Sequence, residues 1–361
     1  MKVAYCIFGS KIHGAEKRVI KLSLCDNLIK NNHIDYLLVL NTQLLQSAKL
    51  DKELSVLIEK RKSNIHIIPD YNLPASILTF WYFLNLVIIK FTKKIDLFHT
   101  YLSAGNISML LTVFKIKVFY EITSPDIADT FVVNYSKRKG FYYNLFKINC
   151  VSESVYKRIK EKITDKKVLE RLCFISRPFI STKIISDQDF INKENTIIYA
   201  ARFIERKNAV LFAEVINRVL DVYPNWNVKI LGTGPLKETI EKILENKIKE
   251  GKAYVGYTSD IIGEFKKSKV IASFIQPNNY PSQSIFEAMA NGNAVIVSNT
   301  GTSSVFVGGN NGILSEDYES DLLKMLSDEG KISEMGKKSI DYFIQNFQED
   351  KYFEELIKLY Q

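Results

Sequence analysis

Residues 281–297 read Pro281-Ser282-Gln283-Ser284-Ile285-Phe286-Glu287-Ala288-Met289-Ala290-Asn291-Gly292-Asn293-Ala294-Val295-Ile296-Val297. The stretch decides the fold class because it joins a short helix to a buried strand through a two-residue stop. Ser284-x-x-Glu287 has the spacing of a capping box, which predicts a helix over 284–290. Asn291-Gly292 ends it, since both residues accept a left-handed backbone. Ala294–Val297 is short, apolar and β-branched, the pattern of a strand covered on both faces. The helix therefore directs its unpaired N–H groups toward the cleft side of a parallel sheet, where they favour an anion. Glu287 lies one turn in. It has two readings, as a capping residue or as a bidentate acceptor for a ribose diol.

The same alternation extends outward in both directions. Toward the N-terminus, strands are expected at Val270–Ser273, Ala253–Val255, Val228–Leu231 and Ile197–Ala200, with helices over Leu236–Lys249 and Ala209–Tyr223. The end of the chain from about Tyr318 reads as helical. A polar stretch at 181–195 separates this unit from an earlier one. There, strands are expected at Val3–Phe8, Tyr36–Leu40, Ile65–Ile68, Ile95–His99 and Lys117–Glu121. Helices are expected over Ala15–Asn31 and Ile107–Phe114, and residues 122–140 read as a loop on the cleft side. Short β-branched runs alternating with helices predict parallel sheets wound by helices. The expected division is 1–180 and 181–345, with a site between the halves at the C-terminal ends of the strands.

Size and composition agree with two domains. The chain has 361 residues, 46% hydrophobic and 25% charged, against a usual domain of roughly 100–200 residues. That excludes a disordered, collagen-like or disulfide-scaffold chain. Lys and Arg number 49 and Asp and Glu 40, a net charge of +9. The excess suits a phosphorylated substrate or an anionic membrane surface. A nucleic-acid partner is not expected, because zinc-finger spacing, an RNP-like strand and a dense basic run are all lacking. Four cysteines (Cys6, Cys25, Cys150, Cys173) are far apart and read as reduced thiols of a cytoplasmic protein. MKVAYCIFG at the start reads as a strand, not as a signal peptide. Ala75–Ile89 carries no charge but falls short of the roughly 20 residues a span needs. It reads as a packed helix, with contact to a membrane surface through Trp81 and Phe83 as the alternative.

Three more motifs bear chemistry. Ala201-Arg202-Phe203-Ile204-Glu205-Arg206-Lys207-Asn208 follows a strand, and Arg202 and Lys207 are spaced to converge on one diphosphate. Arg206 reads as a solvated loop residue. Leu231-Gly232-Thr233-Gly234-Pro235 is a tight strand–helix turn, either structural or facing a ligand. Gly9-Ser10-Lys11-Ile12-His13-Gly14-Ala15-Glu16 is a glycine-containing strand–helix loop, without the G-x-G-x-x-G of a dinucleotide site.

Together these motifs resemble the nucleotide-sugar half of a GT-B glycosyltransferase, most closely the large family 4 of retaining enzymes. The order R-x4-K-N, G-x-G-P, Gly256-Tyr257 and E-A-M-A-x-G followed by A-V-I-V is similar throughout. Gly14-Ala15-Glu16-Lys17-Arg18 is similar to the family's G-G-x-E-R loop, and Asp96-Leu97-Phe98-His99 to its D-V-V-H strand. Val151-Ser152-Glu153-Ser154 sits where the family has a serine-rich turn. The resemblance implies two Rossmann-like domains facing across a cleft, with a final helix over about 346–361 returning to the first domain. It implies that Arg202 and Lys207 hold the donor diphosphate and stabilise the departing nucleoside diphosphate. Glu287 would bind the ribose, and the N–H groups near Ser284 and Ile285 would face the phosphates. Gly14 would let its loop close over the donor, while Gly232, Gly234 and Tyr257 would lie near the base. His99 would sit near the transferred sugar, binding a hydroxyl or stabilising the developing positive charge through its backbone, with a purely structural histidine as the other reading. No metal and no cofactor beyond the nucleotide sugar is implied.

Two departures bear on activity. The family's Glu, eight residues before the ribose Glu, is Asn279 here, which hydrogen-bonds but carries no charge. The Gly-Phe-Gly between them is Tyr280-Pro281-Ser282. The expectation is a cytoplasmic retaining glycosyltransferase acting on a glycan or lipid-linked acceptor, with peripheral contact to an anionic inner membrane left open. A catalytically silent GT-B protein is the alternative, then a sugar-nucleotide epimerase. The last would need cleft carboxylates and histidines, and the chain has four His in all.

Overall fold

The computed structural model describes every residue except 13, 25–33, 102–104, 176–177 and 277–278. His13, Cys25 and the far end of the first expected helix lie outside the described residues. The chain forms two compact units, Met1–Ser181 with Glu349–Gln361, and Thr182–Gln348.

The first unit is built on β1 (Lys2–Ile7), β2 (Asp35–Asn41), β3 (Ile65–Ile68), β4 (Leu97–Tyr101), β5 (Val118–Ile122), β6 (Lys147–Cys150) and β7 (Leu172–Phe174). Their order across the sheet is β3-β2-β1-β4-β5-β6-β7. The second unit carries β8 (Glu194–Ala200), β9 (Asn227–Leu231), β10 (Ala253–Gly256), β11 (Ser268–Ser273), β12 (Ala294–Ser298) and β13 (Gly312–Ser315). Their order is β10-β9-β8-β11-β12-β13. The pairings of both sheets are parallel. A parallel sheet needs crossover connections, and helices supply them on both faces. Both units are therefore Rossmann-like, as the alternation in the sequence implies.

Strand order locates the ligand end of each sheet. The chain winds outward from β8 through β9 to β10, then crosses back to β11 on the other side of β8. The loops after β8 and β11 diverge at that switch point and leave a crevice at the C-terminal ends of the strands. In the first unit the equivalent point lies between β1 and β4.

Burial explains the strand pattern. Val270, Ala272, Ile296, Ile197, Tyr199 and Val228 of the second sheet are at most 1% exposed, among the buried residues of one cluster. The first sheet packs two clusters, one on each face. The Glu349–Tyr360 helix belongs to the second of these, through Tyr352, Phe353, Leu356 and Tyr360.

Several local expectations are corrected. Residues 122–140 are not a loop: Pro125–Lys137 is a helix, with Ser124 as N-cap accepting from the Ile127 N–H. Ser-Pro-Asp is a helix start, and Ala128, Phe131 and Tyr135 are buried at helical spacing. The helix expected over 236–249 is two, Lys237–Ile243 and Glu245–Lys249. The polar stretch 181–195 holds a short helix, Asp187–Ile191, and the start of β8. β6, β7 and β13 have three or four residues each and escaped the periodicity reading. Cys6, Cys150 and Cys173 are free thiols.

Candidate functional site

The site begins where β8 ends. Ala201 N–H donates to the Leu231 carbonyl and Phe203 N–H to that of Thr233, so the loops after β8 and β9 zip together. That approach requires glycine. A Cβ on Gly232 would run into the Ala201 carbonyl, and one on Gly234, at φ +155°, into the Phe203 carbonyl. Of the two readings of G-x-G-P, the structure therefore supplies a structural reason that holds without any ligand. Gly232 N–H also donates to the Gly256 carbonyl at 2.8 Å, beside the exposed Tyr257.

The zipped loop carries Arg202 outward and then turns through Glu205–Lys207. Asn208 closes the turn at φ 52° and starts the Ala209–Val222 helix. Its side-chain amide donates to the Phe274 carbonyl at 2.8 Å, which fixes the loop to the end of β11. The Tyr199 hydroxyl holds the Lys207 carbonyl. Asn is one of the few residues that tolerate this backbone, so the Lys-Asn pair was a legible signal whose structural use was missed.

Among the described residues, neither the Arg202 guanidinium nor the Lys207 ammonium has a hydrogen-bond or ion-pair partner. Arg202 is exposed and Lys207 partly buried. Loss of water pulls the Lys207 pKa down to about 8, and the positive charges of Arg206 and Arg202 add to the fall. Arg206, expected to be a bystander, thus contributes to the local field.

The Gln283–Ala290 helix meets the same place. Ser284 Oγ lies 3.4 Å from the Ala200 carbonyl, the last residue of β8. The capping box is corrected: the N-cap is Ser282, whose hydroxyl meets Ser284 Oγ at 3.3 Å and accepts from no first-turn backbone N–H, and Ser284 sits inside the helix. The first-turn N–H groups, including those of Ser284 and Ile285, therefore have neither an intrahelical nor a cap partner. Glu287 is buried and accepts from Gln283 Nε2 at 3.0 Å. Asn279 is also buried, its amide donating to Ser273 Oγ at 2.9 Å at the end of β11. Gln283 and Ser273, which hold these two groups, were not identified from sequence. Gln283 stands inside the 281–297 stretch and Ser273 at the end of an expected strand, but neither was given a role.

The loop that carries Arg202 and Lys207, the glycine turn after β9 and the helix that carries Ser284, Ile285 and Glu287 thus meet around the end of β8, with Asn279 held at the end of the neighbouring β11. Among the described residues there is no cluster of three His, Cys, Asp or Glu able to hold a metal.

In the first unit, Gly14 opens the Gly14–Ser23 helix after β1. His99 is corrected. It lies within β4 and is fully enclosed, stacked on Tyr5 with ring centroids 4.5 Å apart. Nδ1 is 2.7 Å from the Tyr360 hydroxyl and Nε2 is 3.5 Å from Glu121. Its backbone is flanked by β1 and β5. The side chain is a core histidine and is not offered to a sugar. Burial lowers its pKa, against the pull of Glu121. Glu121 in turn pairs with Arg18 at 2.5 Å, and Arg18 donates to the Tyr352 hydroxyl at 2.8 Å. Burial alone would raise the Glu121 pKa, but Arg18 and His99 bring it down to about 2. The Arg18 of the N-terminal motif is therefore a structural anchor for the Glu349–Tyr360 helix.

Comparison with known proteins bears on both units. Residues 181–340 match the family model Glycosyl transferases group 1. A glycosyltransferase from Rickettsia africae ESF-5 aligns with TM-score 0.72 at 15% identity, over 99% of this chain and 97% of that one. HepE from Anabaena, solved with UDP and glucose, gives 0.72 at 14% identity, over 99% and 98%. The lipopolysaccharide outer core galactosyltransferase WaaB gives 0.64 at 16% identity, over 99% of each chain. No curated protein matches the sequence significantly. The two Rossmann-like units are therefore those of the GT-B glycosyltransferase fold, and the second of them carries the match to the Glycosyl transferases group 1 model.

Proposed function

We propose that the protein is a retaining glycosyltransferase. It moves a sugar from a nucleoside-diphosphate donor to a glycan or lipid-linked acceptor in cell-surface polysaccharide or lipopolysaccharide synthesis, on the cytoplasmic side. The observation that carries the reading is the pair of unpartnered cations, Arg202 and Lys207, set beside an uncapped helix N-terminus at the sheet's switch point. A diphosphate supplies the missing negative charge at that point. HepE with UDP and WaaB as a lipopolysaccharide galactosyltransferase support the donor and acceptor classes.

In the proposed reaction the bond from the anomeric carbon to the diphosphate oxygen breaks. The acceptor hydroxyl attacks from the same face and gives its proton to the departing phosphate. Arg202, Lys207 and the first-turn N–H groups stabilise the charge that grows on the leaving group, in place of a metal. Glu287 accepts from the ribose hydroxyls. No protein carboxylate is needed at position 279, and the Asn279 amide helps select the donor sugar. The silent GT-B reading keeps one supporting observation, namely that Asn279 is committed to Ser273.

The test is a calorimetric and thermal-shift screen of UDP, GDP, ADP, CMP and their common sugars. Release of the nucleoside diphosphate is then followed with lipid-linked acceptors, with and without a chelator. One nucleoside diphosphate should bind. Arg202→Ala or Glu287→Ala should each weaken it by about 1.5–3 kcal/mol, tenfold to hundredfold, and turnover should survive chelation. Binding without turnover on any acceptor would install the silent reading. A flat screen would overturn both.

A further inference from the structure

The Ala75–Thr92 helix of the first unit is apolar on two faces, and only one is used. Tyr82, Phe83, Leu86 and Ile89 are buried in the core. The opposite face presents Ile77, Phe80, Leu84, Ile88 and Phe91, with Phe80 52%, Ile88 59% and Phe91 72% exposed. These five fall within an arc of about 80° at 3.6 residues per turn and run for about 21 Å along the axis. Beside the helix, Val113 and Phe114 at the end of the Gly105–Val113 helix are also mostly exposed, and Phe114 packs on Phe83 with ring centroids 5.1 Å apart. A contiguous apolar stripe of this extent on a folded unit marks a surface meant to be covered.

The charges say what covers it. Neither helix contains a single Asp or Glu. Lys93 and Lys94 follow the first helix directly and Lys115 follows the second, all three exposed. Lys94 and Lys115 sit at φ 54° and 57°, in the turns that end the two helices. The stripe is thus apolar along its length and cationic at the end where Phe91, Val113 and Phe114 emerge. The helix is long and apolar enough to cross a bilayer by length and composition alone. Its other side, however, is locked into the core, and Tyr82 is hydrogen-bonded to Asp70. It can lie in a membrane interface but cannot leave the fold to span one.

We infer that this face docks the first unit on an anionic phospholipid bilayer. Phe80, Ile88 and Phe91 enter the acyl boundary, while Lys93, Lys94 and Lys115 meet the headgroups. Trp81 and Phe83, the side chains the sequence singles out, are not the contact residues. Phe83 is 3% exposed and Trp81 donates its indole N–H to the Pro69 carbonyl.

The experiment is co-sedimentation of the full chain with vesicles of phosphatidylcholine alone and with phosphatidylglycerol added, at two salt concentrations. The protein should partition onto the anionic vesicles and dissociate as salt rises. The Phe80→Ser, Ile88→Ser, Phe91→Ser triple variant and the Lys93→Glu, Lys94→Glu, Lys115→Glu variant should each bind at least about tenfold more weakly. All six positions are exposed, so the variants should keep the parent's melting temperature and its response to nucleotide. No binding by the parent, or equal binding by either variant, overturns the inference. A parent dimer that the Ser variant dissociates, without vesicle binding, also overturns it and assigns the face to a second copy of the chain. The readout uses no donor, so its failure leaves the proposed activity untouched.

Discussion

Lys207 keeps its charge at neutral pH only against the fold's resistance. Partial burial and two neighbouring arginines pull its pKa to about 8, from an ordinary value near 10.4. In the unliganded protein the unfolded state binds more protons between those values. The penalty is therefore full below about pH 8 and fades as pH rises toward the lysine range. In the proposed donor complex, a diphosphate would reverse the shift by pairing with the ammonium. Binding above pH 8 should then be accompanied by uptake of up to one proton, and affinity should fall with rising pH in that range. Calorimetry at pH 8.5 in two buffers of different ionisation enthalpy measures the uptake. Lys207→Met should abolish it, and a buffer-independent enthalpy in the parent would refute it. The position of Arg202 and Lys207 in the loop after a strand was legible from the sequence. The enclosure of His99 was not legible, because its partner Tyr360 lies 261 residues away in the chain, and the bond from Asn279 to Ser273 spans only six residues but joins a loop to a strand end that no local pattern pairs.

At the scale of elements, two loops and one helix frame the candidate site, and glycine sets how closely the loops meet. The turn after β9 lies against the loop that carries Arg202, with the Ala201 carbonyl in the space a Gly232 side chain would need. Gly232→Ala should destabilise the protein by about 1–3 kcal/mol and weaken nucleotide binding together, since the backbone that yields is adjacent to Arg202. A melt unchanged within error would show that the loops have slack. The same scale explains the misread segment at 122–140. Its apolar residues recur at helical spacing behind a Ser-Pro-Asp start, and only the preceding strand made it look like a cleft loop.

At the scale of the whole molecule, each sheet has its own switch point, and the first unit is completed by a helix from the far end of the chain. Tyr360 bridges Tyr5 and His99 by hydrogen bonds of 2.6 and 2.7 Å, and Tyr352 takes the bond from Arg18. His99 has a lowered pKa, so the unfolded state takes up its proton first as pH falls through about 6.5, and folding stability declines there. Glu121, held near 2, contributes stability above the usual carboxylate range and loses it as pH falls toward 2. Both signs predict acid lability, and the histidine sets its onset. The melting temperature should fall between pH 7 and 5, with His99 contributing up to about 1.4 kcal/mol per pH unit. His99→Gln should flatten that slope, and an equal slope in both proteins would remove His99 from the account.

Strand–helix alternation, the glycine and proline punctuation and the R-x4-K and E-A-M-A-N-G motifs were determined by the sequence itself, because each is a pattern among near neighbours set by backbone geometry and local periodicity. The order of the strands, the joining of Glu349–Tyr360 to the first sheet and the enclosure of His99 were decided by the tertiary structure. So was the choice of which face of the 75–92 helix stays outside. In these cases the partners lie tens to hundreds of residues apart, and only packing brings them together. An apolar helix with two greasy faces has no local feature that says which one the core will take.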